Sequence, residues 1–437
     1  MSELRSSFRA TRSATAWVLL LAVTAGLAAA EGELDSSFGS GGISRTSFFT
    51  YSSAESGGSI ALQDDGKIVV AGHTFRSGST SITDIAVGRT FADGSVDTGF
   101  GREGGLVRDL GGDETTRLVR VRPDGAVIVA GDNEFGAWLL ALDRFGQPLV
   151  GFGDGGAVQR FFKADAEPRV IDIAFDEQNR IVMIGQEDRL TTSPPQHISV
   201  MRFAADGTPD DAFGIKKLKV PGMSGGDFLF GSEVQVAEGA APDIVIGGYW
   251  RKQDTRGGNP NEVEAVLMRL NDDGSLDAGF AGDGILTFHA YQTDDPQRST
   301  VVKHLLIEDD GDLLVLGSAF KDPVGLNATT GPTEVFLAKI GSDGAFDQTF
   351  GNAGRVLVTD PESGDALELG FIRTDRCALM PVDAGAVDIY TGAVIWRLDR
   401  GSGERTAIIA EGLHRGAWKL GTHRSKPALR QARTLRV

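Results

Sequence analysis

The chain contains one cysteine, Cys377, among 437 residues, so it cannot form an internal disulfide. A small scaffold held together by disulfides is therefore excluded, and the fold must be stabilised by its hydrophobic core. The six histidines are scattered without the spacing of metal ligands. After residue 30, no segment has the ~20 consecutive apolar residues that span a bilayer.

The sequence also contains glycine patterns that are found in enzymes, but it lacks the structural context that these patterns require. Segments 99–104 and 151–156 match a dinucleotide-binding glycine pattern, and 222–226 matches the pattern around a hydrolase nucleophile. Both patterns require a helix directly after the glycines, and the sequence indicates none there. We therefore predict no catalytic and no cofactor-binding residue, which favours a protein that is not an enzyme.

The first thirty residues have the three parts of a secretory signal peptide. Arginines provide a basic start, residues 17–27 are apolar, and residues 28–30 are alanines suited to cleavage. A membrane anchor is the alternative, but the apolar run is too short to span a bilayer. We expect a signal peptide at 1–30 that is cleaved after Ala30, which leaves a secreted or periplasmic protein without a transmembrane segment.

Acidic side chains outnumber basic ones, and the formal net charge is −17. Such a surface repels nucleic acid, which is therefore not a predicted partner. Residues 414–437 differ, because they hold seven Lys and Arg and no acid. We expect 411–437 to be a basic tail that is disordered, because it lacks regularly spaced apolar residues. Packing against the acidic body and binding to an acidic partner are the alternatives.

Glycine is abundant, with 59 residues, which is about twice the usual share. Much of it belongs to a repeated loop, Asp-Gly-x-x-Asp-x-x-Phe-Gly, which is clearest at 93–101 and 206–214. The loop phenylalanines are 62, 52, 61, 67 and 70 residues apart. They are Phe38, Phe100, Phe152, Phe213, Phe280 and Phe350, and the second loop acids are Asp97, Asp210, Asp277 and Asp347. A period of this length is typical of repeat architectures.

Each repeat contains short apolar strands joined by tight turns. In the first repeat we expect strands at 43–49, 59–63, 67–72 and 85–89, with an Asp-Gly hairpin turn between the second and the third. The third and fourth strands recur six times along the chain. The Phe-Gly loop is expected to follow the fourth strand and to lead into the next repeat.

Four strands in about 60 residues, repeated along the chain, predict an all-β fold, a β-propeller over residues 31–410. We expect six four-stranded blades; seven blades and a β-solenoid are the alternatives. The last repeat lacks a Phe-Gly loop, whereas residues 34–43 contain one without strands before it. The N-terminal segment is therefore predicted to complete the last blade and close the ring, which leaves no unpaired strand edge.

The loop at residues 34–42 reads Leu-Asp-Ser-Ser-Phe-Gly-Ser-Gly-Gly. Together with the recurring strands, it resembles the delta-60 repeat family, propeller-like repeats of exported bacterial proteins. The resemblance covers about residues 32–400 and weakens at 148–150, where the loop acid is missing. It implies an exported repeat protein of undefined activity and carries over no catalytic residue.

A basic residue recurs at one position of the repeat: Arg89, Arg202, Arg269, Lys339 and Arg397. The second repeat has Ala141 there, and its loop also lacks the acids, so we predict that each base pairs with an acid of its own loop. The loop Phe is predicted to be an apolar plug between blades. Asp273 and Asp277 lie in an oxygen-rich loop that lacks the regular calcium-binding pattern. We therefore predict no cofactor and no metal, and calcium at these two residues is the alternative.

The connections after the third expected strand vary in length and share no motif. The richest, 249–262, holds residue types favoured at binding hot spots: Tyr249, Trp250, Arg251, Lys252 and Arg256. Function commonly lies on such variable loops of a constant scaffold. We predict a binding or scaffolding module for a protein or carbohydrate ligand outside the cytoplasm. The alternative is an enzyme with a metal-dependent hydrolase or lyase site in the central channel, which converging carboxylates, Asn or His from three blades would favour.

Overall fold

The structure is a computed structural model, and within the residues that it describes every regular element is a β-strand. The described residues are 38–40, 43–44, 55–76, 81–160, 167–188, 196–239, 243–252, 263–290, 299–320, 333–358, 378–383, 386–390, 395–399, 405–407 and 434–435. They form six antiparallel sheets, in each of which strands that are neighbours in sequence pair with one another. The expected signal peptide and most of the expected strand at 43–49 lie outside the described residues.

Sheets 1 to 3 have four strands each. Sheet 1 consists of β1 (Glu55–Leu62), β2 (Ile68–Phe75), β3 (Thr83–Thr90) and β4 (Gly105–Arg108). Sheet 2 consists of β5 (Thr115–Val121), β6 (Val127–Asn133), β7 (Gly136–Leu142) and β8 (Ala157–Arg160). Sheet 3 consists of β9 (Glu167–Phe175), β10 (Ile181–Asp188), β11 (Ile198–Phe203) and β12 (Lys216–Leu218).

Sheets 4 and 5 also have four strands, and sheet 6 has five. Sheet 4 consists of β13 (Phe228–Val236), β14 (Ile244–Arg251), β15 (Val263–Leu270) and β16 (Ile285–Phe288). Sheet 5 consists of β17 (Ser299–Ile307), β18 (Leu313–Phe320), β19 (Thr333–Ile340) and β20 (Arg355–Val358). Sheet 6 consists of β21 (Ala378–Asp383), β22 (Ala386–Tyr390), β23 (Ile395–Asp399), β24 (Arg405–Ala407) and β25 (Thr434–Leu435). In the basic tail 411–437, only β25 is described.

Successive sheets pack on one another, and their first strands form a row. β1 contacts β5, β5 contacts β9, and the row continues through β13 and β17 to β21. The apolar clusters lie between neighbouring sheets; one joins Ile128 and Leu139 of sheet 2 to Ile173 and Met183 of sheet 3. The second and third strands of sheet 2 are buried along their whole length because each face of that sheet meets a neighbouring sheet. Meander sheets packed in chain order are the arrangement of blades in a β-propeller.

The boundaries of the sheets differ by one strand from the boundaries of the repeats expected from the sequence. The strands expected second, third and fourth are the first, second and third strands of a sheet, and the Phe-Gly loop connects the third strand to the fourth within that sheet. The loop folds back because Arg89 N donates to Gly104 O (3.0 Å) and Asp97 N donates to Arg89 O (3.0 Å). The expectation that this loop leads into the next blade was therefore wrong. The fourth strand has four residues in sheet 1, too few to show a pattern.

In three sheets, an arginine near the end of the third strand pairs with an acid of the following Phe-Gly loop and stacks on the loop phenylalanine. Arg89 Nη2 lies 2.8 Å from Asp97 Oδ2, and its guanidinium carbon lies 4.5 Å from the ring centre of buried Phe100. The same arrangement occurs at Arg202, Asp210 and Phe213 and at Arg269, Asp277 and Phe280. Lys339 differs, because its Nζ lies 3.0 Å from Glu308 Oε2. The pairing of base and loop acid expected from the sequence is thus present in three loops.

These arginines also join each sheet to the next through a turn carbonyl. The donors and acceptors are Arg89 Nη1 to Arg144 O (2.8 Å), Arg202 Nη1 to Asp272 O (2.5 Å) and Arg269 Nη1 to Ser342 O. In sheet 2, which has Ala141 at the repeat position, Arg122 Nη1 donates to Ala205 O (2.6 Å). The guanidinium of Arg122 also pairs with Asp124. The bond between sheets is therefore kept where the repeat motif is lost.

Loop phenylalanines cover the Asp-Gly turn of the following sheet. A Cβ on Gly207 would lie 2.9 Å from the Phe152 ring, and one on Gly94 would lie 2.9 Å from the Phe38 ring. Gly39 N donates to Asp93 O (2.6 Å) of sheet 1, as Gly101 N and Gly153 N donate to the corresponding carbonyls of sheets 2 and 3 (2.7 and 2.9 Å). Residues 38–40 and 43–44 thus occupy on sheet 1 the place that the loop of a preceding sheet takes elsewhere.

Candidate functional site

The sheets present two unlike rims. The turn rim is made by the connections between third and fourth strands, 91–104, 143–156, 204–215, 271–284 and 341–354, which carry the repeated loop. The variable rim is the end of the sheets at which second strands end and third strands begin. The connections between these strands differ in length, from residues 134–135 in sheet 2 to residues 321–332 in sheet 5. The two rims lie at opposite ends of the strands because neighbouring strands are antiparallel.

The residues expected to open a recognition loop at 249–262 belong to a strand. Tyr249, Trp250 and Arg251 end β14, because pairing with both β13 and β15 continues as far as Arg251. Trp250 packs against the apolar cluster between sheets 3 and 4, and its Nε1 donates to Asp227 Oδ2 (3.3 Å). Lys252 follows the strand with its Nζ 4.6 Å from the Trp250 ring centre, and Arg256 lies outside the described residues.

Three stacked aromatic rings and an arginine lie where sheet 4 reaches the variable rim. The ring centres of Phe230 and Tyr249 are 4.8 Å apart, and those of Phe228 and Phe230 are 5.9 Å apart. The guanidinium carbon of Arg251 lies 5.3 Å from the Phe228 ring centre. We call Phe228, Phe230, Tyr249 and Arg251 the aromatic strip; all four are partly exposed.

Sequence reasoning named two members of the aromatic strip and missed the two phenylalanines. Their spacing of two along β13 places them on one face of the sheet, which is the signal that could have found them. Tyr249 lies directly opposite Phe230 in the strand register, so the stack follows from cross-strand pairing. Burial raises the pKa of the Tyr249 hydroxyl, so the ring presents a neutral face.

A second group of polar side chains lies along the first strands of sheets 2 to 5. Arg120 Nη2 donates to Asp172 Oδ1 (2.8 Å), and Asp172 Oδ2 accepts a backbone N–H of β13 (3.2 Å). Glu233 Oε2 accepts a backbone N–H of β17 (2.9 Å) and lies 3.3 Å from His304 Nδ1. We call Arg120, Asp172, Glu233 and His304 the first-strand row. It brings two carboxylates and an imidazole together from three sheets.

Within the first-strand row, burial shifts the pKa of Asp172. Burial raises the pKa of Asp172 to about 6; Arg120 opposes this shift and Glu233 adds to it. His304 Nε2 is buried without a hydrogen-bond partner. Sequence reasoning missed this row because the position after the strand bulge is Asp, Glu or His in sheets 3 to 5 but Ser or Leu in sheets 1 and 2.

Three carboxylates meet at the variable rim between sheets 1 and 2. Asp84, Asp109 and Glu114 place one oxygen each within 4.8 Å of one another, and we call them the acid cluster. Arg76 Nη2 lies 2.7 Å from Asp84 Oδ1 and 2.6 Å from Asp109 Oδ1. Burial raises the pKa of Glu114 to about 7, although a hydrogen bond from Asn133 opposes this shift. Sequence reasoning missed the cluster because Asp84 lies at the start of β3, whereas Asp109 and Glu114 lie in the β4–β5 connection, which is separated from Asp84 by the repeated loop.

The expected alternative calcium ligands, Asp273 and Asp277, are bonded to protein donors. Asp273 Oδ1 accepts from the hydroxyl (2.6 Å) and the backbone N–H (2.8 Å) of Ser275, which lowers the pKa of this carboxyl. Asp277 Oδ2 lies 2.6 Å from Arg269 Nη2, and Oδ1 accepts from Gly279 N (2.8 Å). These bonds order the turn. Calcium at these residues stays a prediction, as does the lack of a cofactor.

Comparison with known families identifies the repeat. A family model described as a domain of unknown function (DUF5122), beta-propeller, matches residues 63–100 and 244–280. The two segments are the same part of sheets 1 and 4, from the second strand to the loop phenylalanine. The chain therefore contains repeats of the propeller kind, and its fold is an all-β propeller. No curated protein matches the chain.

Solved structures similar to the chain are distant in sequence. Virginiamycin B lyase from Staphylococcus aureus is 11% identical, with 79% of this chain and 82% of that chain covered and a TM-score of 0.39. A PL25 ulvan lyase is 13% identical, with 82% and 85% covered and a TM-score of 0.44. Drosophila Semaphorin 1b is 9% identical, with 81% and 74% covered and a TM-score of 0.36. At these values none of them bears on the activity or ligand of this chain.

Proposed function

We propose that the protein is an exported six-bladed β-propeller that acts as a binding or scaffolding module through the aromatic strip. The observation that carries this proposal is the partial exposure of three stacked rings and an arginine at the variable rim. Tyr and Arg are among the residue types that dominate binding energy at interfaces. The stack is only partly covered, so it is available to a partner.

The chemistry of the aromatic strip defines the kind of ligand. The exposed parts of the rings favour an apolar or CH-rich surface, and Arg251 offers a guanidinium that hydrogen-bonds carboxylates. A protein segment or a carbohydrate with an acidic group has both features. The body of the protein is acidic, so Arg251 would draw such a ligand to a local basic point rather than to the surface as a whole.

Export, ring closure and the delta-60 assignment belong to the same proposal. Export is supported by residues 1–30, which have the composition of a signal peptide. In the described part of the chain, no helix is long and apolar enough to be a membrane span. Closure is supported by Gly39 and Ser44, which bond to sheet 1, Gly39 in the way that the Phe-Gly loops bond to later sheets.

Ligand capture by immobilised mature protein tests the binding site. The double variant Tyr249→Ala, Arg251→Ala should no longer capture a ligand from the envelope and surroundings of the producing cell, and protease or glycosidase digestion of the captured material identifies its class. Trp250 is left unchanged because it packs in the core. The matched control is Arg144→Ala, Phe145→Ala, an arginine 4.7 Å from a phenylalanine ring centre on the turn rim. If both double variants, or neither, lose capture, the strip is not the site.

Catalysis at the first-strand row is a second candidate, favoured by the convergence of Asp172, Glu233 and His304 from three sheets. A carboxylate beside Nδ1 orients a histidine so that Nε2 can act as a general base, as a hydrolase or lyase requires. The capture experiment separates the two functions. His304→Gln should leave capture by a binding module unchanged, whereas an enzyme would release its captured material altered only when His304 is present.

A further inference from the structure

We propose that the acid cluster is a binding site for a hard divalent cation of the calcium type, and that the cation displaces the guanidinium of Arg76. The site is distinct from Asp273 and Asp277, from the aromatic strip and from the first-strand row. Its members come from the start of β3 and the β4–β5 connection, and Arg76 comes from the β2–β3 connection, so the site lies at the junction of sheets 1 and 2. A cation bound there would brace this junction on the variable rim.

The position of Arg76 Nη2 marks the point on which the oxygens converge. It lies 2.7 Å from Asp84 Oδ1, 2.6 Å from Asp109 Oδ1, 3.3 Å from the Gly112 carbonyl and 4.0 Å from Glu114 Oε2. Carboxylates and backbone carbonyls are typical calcium ligands. Calcium is coordinated by about six to eight oxygens. Bidentate carboxylates and water would complete such a set.

Glu114 distinguishes this cluster from an ordinary surface ion pair. Its side chain is 0% exposed, and its Oε2 has no hydrogen-bond partner. The separation of 4.0 Å from Arg76 is too long for a hydrogen bond. A buried acceptor without a donor is rare in proteins and often marks the place of an ion or a water. Oε2 faces the guanidinium of Arg76 from 4.0 Å, and Glu114 places one carboxylate oxygen within 4.8 Å of an oxygen of each of the other two carboxylates.

The charge of the cluster also favours a dication over Arg76. One guanidinium faces three carboxylates, so a negative charge remains on the cluster even when Glu114, whose pKa burial raises to about 7, is protonated. The Arg76 side chain is 32% exposed, and its backbone is held by a bond from N to Ile82 O (2.9 Å). The guanidinium can therefore move into solvent without unfolding the strand end. Asp109, with 51% of its side chain exposed, leaves a route for the ion.

Thermal unfolding and calorimetric titration of the mature protein with calcium chloride test the proposal. After chelation, millimolar calcium should raise the wild-type midpoint by about a few degrees, because it binds only the folded state. Sodium chloride of equal ionic strength controls for screening. Asp109→Asn and Glu114→Gln should abolish the rise, and the control Asp273→Asn should keep it. Arg76→Met should start from a lower midpoint in chelator and show a larger rise than wild type.

These results distinguish a cation site from a cluster whose carboxylates only pair with Arg76. A wild-type protein without a calcium-specific rise, or a rise that survives Asp109→Asn, would overturn the site. A rise that disappears in Asp273→Asn would move calcium to that loop. A rise in Arg76→Met that is smaller than in wild type would overturn the displacement of Arg76, because the arginine would then be helping the ion rather than competing with it.

Discussion

At the residue scale, the buried arginines of the repeat show how one side chain can serve two levels of structure. Arg89 stacks on Phe100 and pairs with Asp97 inside its loop, while its Nη1 donates to the next sheet. A buried guanidinium is tolerated only when it is fully paired, and removal of one partner costs ~3–5 kcal/mol. The pairing with the loop acid could be predicted because both residues recur together. The role of Arg122 could not, since it enters from another strand.

Asp172 gives a pH prediction at the same scale. Its folded pKa of about 6 is raised above the ordinary value, so the fold favours the protonated carboxyl. This stabilisation is complete below about pH 4 and is lost as the pH rises through the folded pKa. The change is on the order of 3 kcal/mol. Asp172→Asn cannot ionise, so its free energy of unfolding should not show this fall.

Denaturant unfolding at a series of pH values measures the effect of Asp172. The difference in stability between wild type and Asp172→Asn should move in favour of the variant between about pH 4 and pH 6. Asp154→Asn, at an exposed position of the turn rim, is the control and should follow the wild-type profile. Parallel profiles for all three proteins would show that Asp172 is not held in its protonated form by the fold.

At the scale of elements, the number and type of most strands could be predicted, but their grouping into sheets could not. The inner strands are recognisable because burial on both faces makes them apolar throughout, as in β6 and β7. The fourth strands have three or four residues in sheets 1 to 5, so their pattern is too short to detect. The loop pairs back onto the third strand through backbone hydrogen bonds, and this pairing decides which strands belong to one sheet. The side-chain pattern does not reveal such bonds.

Packing of a Phe-Gly loop on the next Asp-Gly turn is testable with two glycine variants. Gly207 and Gly125 both have positive φ (+80° and +85°), but only Gly207 faces a neighbour, the Phe152 ring. Alanine at either position suffers the backbone strain of a left-handed residue, ~1–2 kcal/mol. Gly207→Ala should cost ~1–3 kcal/mol more, because a Cβ would push the two sheets apart. Equal losses in denaturant unfolding would mean that the contact between sheets contributes nothing.

At the scale of the whole molecule, the central claim is a ring of blades closed through the N-terminal segment. The sequence suggested closure because a loop is missing at one end and present at the other. The structure places Phe38 and Gly39 against sheet 1 as Phe152 and Gly153 lie against sheet 3. The candidate sites could be predicted only in part, through Tyr249 and Arg251 of the aromatic strip, because their residue types do not recur at the same position in every repeat. The repeated residues therefore predict the scaffold, whereas the candidate sites lie where the repeats differ from one another.

Thermal unfolding of mature protein that lacks residues 31–44 tests closure most directly. Loss of these residues removes Phe38 and the bonds of Gly39 and Ser44 to sheet 1. A closed ring should then lose stability, by up to the ~3–5 kcal/mol that truncation of a fully buried Phe costs, because Phe38 is partly buried, and Phe38→Ala alone should give part of this loss. Removal of residues 436–437, beyond β25, is the control and should leave the melting midpoint unchanged. A midpoint for the N-terminal deletion equal to that of the full mature chain would contradict closure through this segment.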